Sequence, residues 1–167
     1  MRLIILGAGG FGHCVREAAI FTKKYEEILF LDDNAASCPV GKLHDFRSYL
    51  DADTFFIPAF GNDKLRISWI ETLISSNANV ATIIHPYSFV SPSATIGLGT
   101  VVMPMSVVNT GTHIGVGCII DTGSIVDHDC NIGTGIHVKP GAIIRPNNCI
   151  PDFIVLNSGQ VVESMTY

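Results

Sequence analysis

The chain has 167 residues, of which 47% are hydrophobic and 15% charged, and its formal net charge is −5. This composition excludes a disordered chain, and an acidic balance without a basic cluster argues against a protein whose main partner is nucleic acid. No apolar run approaches the roughly 20 residues that cross a bilayer, and the apolar stretch at 3–6 is too short for a signal peptide. We therefore expect a globular, cytoplasmic protein with no membrane partner.

The cysteines are odd in number and include no Cys-x-x-Cys pair. They are Cys14, Cys38, Cys118, Cys130 and Cys149. This pattern favours neither a disulfide framework nor a zinc site. We expect reduced thiols and no bound metal.

Residues 1–80 alternate short apolar runs with amphipathic stretches, which is typical of a small α/β domain. The predicted elements are a strand at 2–6, a helix at about 13–22, strands at 28–31 and 54–60, a helix at 63–75 and a last strand at 79–83. We expect the apolar side of the second helix to consist of Leu65, Trp69, Leu73 and Ile74.

A glycine-rich segment lies between the first predicted strand and helix. Its glycines are Gly7, Gly9, Gly10 and Gly12. Bare backbone N–H groups at a helix start can bind a pyrophosphate, and an acid at the end of the second strand, here Asp32, can hydrogen-bond a ribose or base edge. Glycine turns also serve close packing, so both interpretations remain open. About 80 residues have room for one mononucleotide-binding half and not for a full NAD site, which disfavours a dehydrogenase.

From Ile84 to Val162 every sixth residue is Ile, Val or Leu, without one insertion, which is the signature of a parallel β-helix. Small residues usually stand two places before the next branched one, and glycine recurs where a corner can require a positive φ. We predict a β-helix domain at 84–167 with three hexads per coil. Its flat faces carry few charges, so we expect neighbouring subunits to cover one of them in a homotrimer.

The segment 123–142 reads GSIVDHDCNIGTGIHVKPGA, and further motifs are FLDD at 30–33, AFGN at 59–62, IHP at 84–86 and VVMP at 101–104. Together with the hexads and the glycine turn, these residues resemble the acetyltransferases that modify sialic acid or nucleotide-linked 4-amino sugars, among them UDP-N-acetylbacillosamine N-acetyltransferase. After its PGA segment the chain differs from this family, and we expect it to be shorter by about one coil and the C-terminal tail.

The resemblance implies a Rossmann-like domain that holds a nucleotide sugar, followed by a left-handed β-helix that binds acetyl-CoA between subunits. It implies that His128 is the general base, that Asp129 supports it, and that His137 lies near the acetyl donor. The implied nucleotide-sugar residues are Gly7, Gly9, Gly10, Gly12, Asp32, Asp33, Gly61 and Asn62. The implied acetyl-CoA residues are His137, Lys139, Gly141 and Arg145.

Each of these side chains also has a simpler interpretation. An imidazole oriented by a carboxylate accepts a proton near neutral pH, but His128 can also be a solvated corner residue. His137 lines a thioester pocket or bonds at a subunit contact, and Lys139 and Arg145 bind CoA phosphates or face solvent. Cys130 lies near His128 and suggests a Cys/His nucleophile, yet its position in the hexad favours packing.

The leading hypothesis is an acetyl-CoA-dependent N-acetyltransferase of a nucleotide-linked amino sugar, used for a surface glycan or glycoprotein, in which the amine attacks the thioester directly. O-acetylation of a sugar hydroxyl is the first alternative. A non-catalytic trimer that only binds a nucleotide sugar is the second.

Overall fold

The computed structural model describes residues 1–34, 36 and 39–164; Cys38 lies outside them. The first elements are β1 (Arg2–Leu6), α1 (Gly10–Thr22), β2 (Glu27–Leu31), a 3-10 helix (Leu43–Tyr49), β3 (Thr54–Pro58), α2 (Asp63–Ser75) and β4 (Asn79–Val80). The strands pair in parallel in the order β2-β1-β3-β4, with both helices packed on this sheet. This arrangement is the predicted α/β unit, and it aligns the carboxyl ends of β1, β2 and β3 at one edge.

The element boundaries differ from prediction by two or more residues at three places. Helix α1 begins at Gly10, three residues earlier, because Gly9 is its extended N-cap and the glycine segment forms the first helical turn. Strand β3 ends at Pro58. The predicted strand at 79–83 divides into β4 and a separate strand that starts the repeats.

The predicted apolar side of α2 is partly wrong. Leu65 and Ile74 are 43% and 50% exposed, whereas Leu73 is buried. The reason is that α2 packs on two surfaces. Its buried side includes Ile67 and Ile70, which face the repeat region and not the sheet.

Residues 83–162 form fourteen two-residue strands. They are β5 (Ile83–Ile84), β6 (Phe89–Val90), β7 (Thr95–Ile96), β8 (Val101–Val102), β9 (Val107–Val108), β10 (His113–Ile114), β11 (Ile119–Ile120), β12 (Ile125–Val126), β13 (Asn131–Ile132), β14 (His137–Val138), β15 (Ile143–Ile144), β16 (Cys149–Ile150), β17 (Val155–Leu156) and β18 (Val161–Val162). Each strand from β5 to β15 pairs in parallel with the strand 18 residues later, as between Ile119 and His137. The predicted coil of three hexads is therefore present.

The coils stack into three sheets, which we name by what lies outside them. The α1 face contains β5, β8, β11, β14 and β17, and α1 packs on its first strands. The polar face contains β7, β10, β13 and β16, and its outward residues are Thr95, His113, Asn131 and Cys149. The apolar face contains β6, β9, β12, β15 and β18, and its outward residues are Phe89, Val107, Ile125, Ile143 and Val161.

The second residue of each strand points into the coil, and these residues form the repeat core from Val102 to Leu156. Ile84 is 39% exposed because it belongs to the first coil, which has no coil above it. Small side chains such as Thr112 and Cys130 are also fully buried inside, as the hexad pattern predicts.

Every sixth residue from 99 to 159 has a positive φ, between 57° and 70°. Seven of these corner residues are glycine, which confirms the role predicted for glycine. The others are Met105, Asp129, Asn147 and Phe153. Asp129 thus occupies a left-handed corner position.

None of the helices in the described part of the chain has the length and apolar character that a bilayer crossing requires.

Candidate active site

His128 and Asp129 lie in the turn between β12 and β13, at the corner where the apolar face meets the polar face. The left-handed backbone of Asp129, with φ 57°, brings its carboxylate back to the preceding ring, and His128 Nδ1 lies 2.7 Å from Asp129 Oδ2. The His128 side chain is 46% exposed. Nδ1–H can donate to this carboxylate, and Nε2 then has no hydrogen-bond partner among the described residues.

Neighbouring coils hold this corner on both sides. The carboxylate of Asp127 accepts the backbone N–H of His128 at 2.8 Å and the Asn109 amide of the preceding coil at 3.1 Å. In the following coil, the backbone N–H of Asn147 donates to the His128 carbonyl at 3.1 Å. The corner is therefore a defined support for the imidazole and not a loose loop.

Gly111 leaves the space that the Asp129 carboxylate occupies. A β-carbon at Gly111 would lie 2.5 Å from Asp129 Oδ1, one coil away. The glycine at this corner is therefore required for the geometry of the His–Asp pair as well as for its own positive φ of 68°.

A second His–Asp pair lies at another corner. His137 Nε2 is 3.2 Å from Asp121 Oδ2, and the two side chains are only 16% and 19% exposed. Burial raises the pKa of the Asp121 carboxyl, but the hydrogen bonds from His137 and from the Thr122 backbone N–H outweigh it and bring the pKa below its ordinary value. Asp121 is not among the site residues predicted from the sequence. The signal that was missed is the separation of 16 residues, two short of one coil.

His128 and His137 lie in different parts of the coil within one chain, because His137 is in β14 on the α1 face. His113, in β10 on the polar face, lies on a different side of the coil from His137. Among the described residues there is no group of three or more side chains that could hold a metal ion.

The other residues assigned to acetyl-CoA divide between two corners. Lys139 and Gly141 follow β14, and the Gly141 backbone N–H donates to the Thr122 carbonyl at 3.1 Å, beside the Asp121–His137 pair. Arg145 follows β15, at the same corner as His128 but one coil further. Its Nε lies 3.6 Å from Glu163 Oε2 on the surface.

The glycine turn and Asp32 meet at the carboxyl edge of the first sheet. Asp32 Oδ2 accepts the Ala8 backbone N–H at 2.6 Å. The glycines are not equivalent. A β-carbon at Gly12 would lie 2.1 Å from the Gly7 carbonyl oxygen, whereas at Gly9 and Gly10 it would meet no atom within 4 Å. Gly7, with φ 104°, and Gly12 are needed for packing, and Gly9 and Gly10 leave open space at the start of α1.

The remaining residues assigned to the nucleotide sugar have structural contacts of their own. Asp33 Oδ1 accepts the Leu43 backbone N–H at the start of the 3-10 helix. Asn62 caps α2 by accepting the Leu65 backbone N–H at 2.8 Å. Gly61 follows β3 at the same edge as Asp32, with open space around its Cα.

The cysteine near His128 points away from it. Cys130 is 1% exposed, and its thiol donates to the Arg145 carbonyl inside the coil. Burial raises the pKa of the Cys130 thiol, and it raises the pKa of Cys118 to about 11. Neither thiol has the environment of a nucleophile, which agrees with the packing interpretation.

A cavity of about 400 Å³ lies between α1 and the first coils, with Phe21, His85, Tyr87 and Met103 among its lining residues. His85 Nδ1 accepts the Tyr87 backbone N–H at 3.1 Å, and burial lowers the His85 pKa. The cavity extends to Thr122, next to Asp121. It therefore joins helix α1 of the first domain to the corner that carries the second His–Asp pair.

Residues 2–73 match the family described as the PglD N-terminal domain. The acetyltransferase domain of PglB from Neisseria gonorrhoeae is 30% identical, with a TM-score of 0.86, over 97% of this chain and 91% of that chain. The same domain in complex with acetyl coenzyme A matches with 30% identity and a TM-score of 0.84, over 95% of this chain and 88% of that one.

PerB from Caulobacter crescentus, in complex with CoA and GDP-perosamine, is 24% identical with a TM-score of 0.82, over 98% of this chain and 89% of that chain, a likeness of fold alone. No curated protein sequence matches significantly. These structures confirm the predicted Rossmann-like domain followed by a left-handed parallel β-helix. The chain belongs to the hexapeptide-repeat sugar acetyltransferases that carry a PglD N-terminal domain.

Proposed function

We propose that this protein transfers the acetyl group of acetyl-CoA to the amine of a nucleotide-linked amino sugar destined for a surface glycan or glycoprotein. The observation that carries the proposal is the 2.7 Å contact between His128 Nδ1 and Asp129, which leaves Nε2 free at a supported corner. The complexes of PglB with acetyl coenzyme A and of PerB with CoA and GDP-perosamine support the two substrates.

The reaction needs a base and no covalent acyl-enzyme. The sugar amine attacks the thioester carbonyl and forms the new C–N bond, while His128 Nε2 takes the proton that the nitrogen loses. The C–S bond then breaks, and CoA leaves as a thiolate that receives this proton from the imidazolium. Asp129 stabilises the imidazolium while it exists, because its carboxylate accepts the Nδ1–H.

The nucleotide binds at the carboxyl edge of the first sheet in this proposal. Gly9 and Gly10 leave the start of α1 open to a pyrophosphate, and Asp32 and Asp33 lie at the end of the neighbouring strand. The sheet order places β1 between β2 and β3, so the chain passes to opposite sides of β1 after each crossover. Parallel α/β sheets bind ligands at the carboxyl ends of their strands at such a point. Gly61 and Asn62 complete the edge from β3.

The two His–Asp corners of neighbouring subunits come together if three copies of the chain pack through their apolar faces. This face has a continuous column of outward apolar residues, and Phe89 and Val161 at its ends are 53% and 44% exposed. The Asp121 corner lies on one side of the face and the His128 corner on the other. In a closed ring of three, the His128 corner of one subunit approaches the His137 corner of the next. Acetyl-CoA then lies in the groove between subunits, near His137, Lys139, Gly141 and Arg145.

The trimer has a direct test. Ile125→Arg introduces a charge in the middle of the apolar face, and Asn131→Arg is the matched variant on the polar face. Light scattering on a size-exclusion column should give a trimer for the wild type and for Asn131→Arg, and a monomer without activity for Ile125→Arg. A wild-type monomer that is fully active would disprove the shared site.

The activity is tested by CoA thiol release with acetyl-CoA and a panel of UDP-, GDP- and dTDP-linked amino sugars, with hydroxyl analogues beside each amine. His128→Ala should lower kcat by about 10²- to 10⁴-fold, the usual contribution of a general base. His113→Ala, which removes an exposed histidine of the polar face, is the control. Turnover of only the hydroxyl acceptors would favour O-acetylation. Nucleotide-sugar binding without acetyl-CoA binding would favour a non-catalytic protein.

A further inference from the structure

Arg66 of α2 is fully buried, and no carboxylate of the described residues pairs with it. Removing a guanidinium from water is costly unless its donors are satisfied. Burial lowers the pKa of Arg66, and the more distant Asp63 carboxylate and the Cys118 thiol offset this effect only in part. A buried cation without a counter-ion is uncommon in a small domain, so its contacts require an explanation.

The guanidinium binds four backbone carbonyls from two parts of the molecule. On the β-helix, Nε donates to the Gly117 carbonyl at 2.7 Å and Nη2 donates to the Gly135 carbonyl at 2.9 Å. On the first domain, Nη1 donates to the carbonyls of Phe60 at 2.7 Å and Gly61 at 3.3 Å. The positive charge is thus stabilised by carbonyl dipoles that lie on both sides of the domain junction.

The positions of these carbonyls connect the two halves of the proposed site. Gly117 and Gly135 are the same corner in successive coils, and the one turn between them carries Asp121 and the His128–Asp129 pair. The carbonyls of Phe60 and Gly61 belong to the loop after β3, at the sheet edge assigned to the nucleotide. One side chain therefore joins the nucleotide edge to both ends of the coil that carries the base.

Glycine corners of the β-helix allow α2, and with it Arg66, to pack close to the coil. A β-carbon at Gly117 would lie 2.5 Å from Ile67 Cδ1, and one at Gly99 would lie 2.5 Å from Ile70 Cδ1. Helix α2 can approach the corners this closely because they carry glycine, and this approach brings the Arg66 guanidinium to the coil carbonyls. Lysine, with one nitrogen, can replace only part of the bonding of a planar group that donates in three directions.

We propose that Arg66 is a positioning residue for the acceptor: it fixes the nucleotide-binding edge relative to the coil that carries His128, so that the sugar amine is delivered at the correct distance from the base. This inference depends on the proposed function. It assigns Arg66 no contact with either substrate, and its effect is exerted through the Phe60–Gly61 loop and the coil between Gly117 and Gly135.

The test compares Arg66→Met, Arg66→Lys and the control Arg47→Met, which changes an exposed arginine of the 3-10 helix. We expect kcat at saturating substrates to fall by about 10- to 100-fold in Arg66→Met, as for a misplaced reactant, and by less in Arg66→Lys. The calorimetric Kd for the nucleotide sugar, the KM for acetyl-CoA and the pH profile of kcat should change by less than about two-fold, because each binding site and the base remain intact.

Two results would overturn the positioning role. One is a kcat within about threefold of the wild type in folded Arg66→Met. The other is a parallel loss of nucleotide-sugar affinity, acetyl-CoA binding and thermal stability, which indicates a purely structural residue. If Arg66→Met does not fold, the same measurements on Arg66→Lys decide. A wild type that acetylates no amino sugar would instead reject the proposed function, and this inference with it.

Discussion

Replacing Asp129 by asparagine removes the charge beside His128 and preserves the corner. Asparagine adopts the left-handed backbone as readily as aspartate, so the φ of 57° is retained without new strain. The side chain has nearly the same shape and can still accept the Nδ1–H of His128. The substitution therefore isolates the effect of the negative charge on the imidazolium.

The expected loss follows from the strength of one hydrogen bond. A charge-assisted hydrogen bond contributes about 1.5–3 kcal/mol and a neutral one about 0.5–1.5 kcal/mol, so the difference is about 1–1.5 kcal/mol. The Asp129 side chain is 61% exposed, and solvent screening places the effect at the lower end. We expect kcat to fall by about 5- to 10-fold, far less than in His128→Ala.

The assay is CoA thiol release at saturating substrates over a range of pH, with Asp152→Asn as the control, since Asp152 is an exposed aspartate of another corner. The melting temperature of Asp129→Asn should equal that of the wild type. Full activity at every pH would refute the role of Asp129 as support for the base. A loss of more than about a thousandfold would mean that Asp129 takes a direct part in proton transfer.

Three further predictions concern other parts of the chain. Gly10→Ala should raise the free energy of unfolding by up to about 1 kcal/mol, because alanine favours the helix and its β-carbon meets no atom within 4 Å. The same substitution should weaken nucleotide-sugar binding, measured by calorimetry. An unchanged affinity would mean that the phosphates bind elsewhere. Because the pKa of Asp121 is lowered in the folded protein, its contribution to stability is complete above the ordinary value of 3.8 and is lost as the pH falls through the lowered value. Acid unfolding of Asp121→Asn should lack that component, and an unchanged acid transition would contradict the hydrogen-bonded pair. With a pKa of about 11, about one Cys118 thiol in a thousand is ionised at pH 8. Among the described cysteines of the native protein, a maleimide should therefore label the exposed ones and not the buried ones. Rapid labelling of a buried cysteine would disprove the packing interpretation. The exposed ones are Cys14 and Cys149, and the buried ones are Cys118 and Cys130.

The sequence predicted the features that depend on local pattern. The hexads fixed which residue of each strand points inward. The family resemblance, and not the spacing, selected Asp129 as the partner of His128, since Asp127 is equally adjacent in the sequence. Ile84 is an exception: it has the spacing of an inward residue but is partly exposed, because it lies in the first coil. A periodic sequence does not show which coil has no neighbour above it.

Contacts between distant segments were not predictable in the same way. Arg66 bonds carbonyls 51 and 69 residues away, and a carbonyl carries no side-chain signal in the sequence. Leu65 was assigned to the buried side of α2 because hydrophobicity alone does not tell a helix with one packing surface from a helix with two. The Asp121–His137 pair is different, because its separation of 16 residues is close to the predicted coil length of three hexads and could have identified it.

The regular 18-residue pairing has a consequence for how such a protein can change in length during evolution. Loss or gain of a whole coil leaves every later side chain on its original side, so it alters the height of the prism and little else. Deleting a single hexad before residue 128 would preserve the apolar spacing yet rotate everything downstream by a third of a turn, which would carry the imidazole to a different side of the prism. We therefore expect length to vary in steps of three hexads, because the loss of one or two hexads would keep the repeat spacing but displace the corner that carries His128.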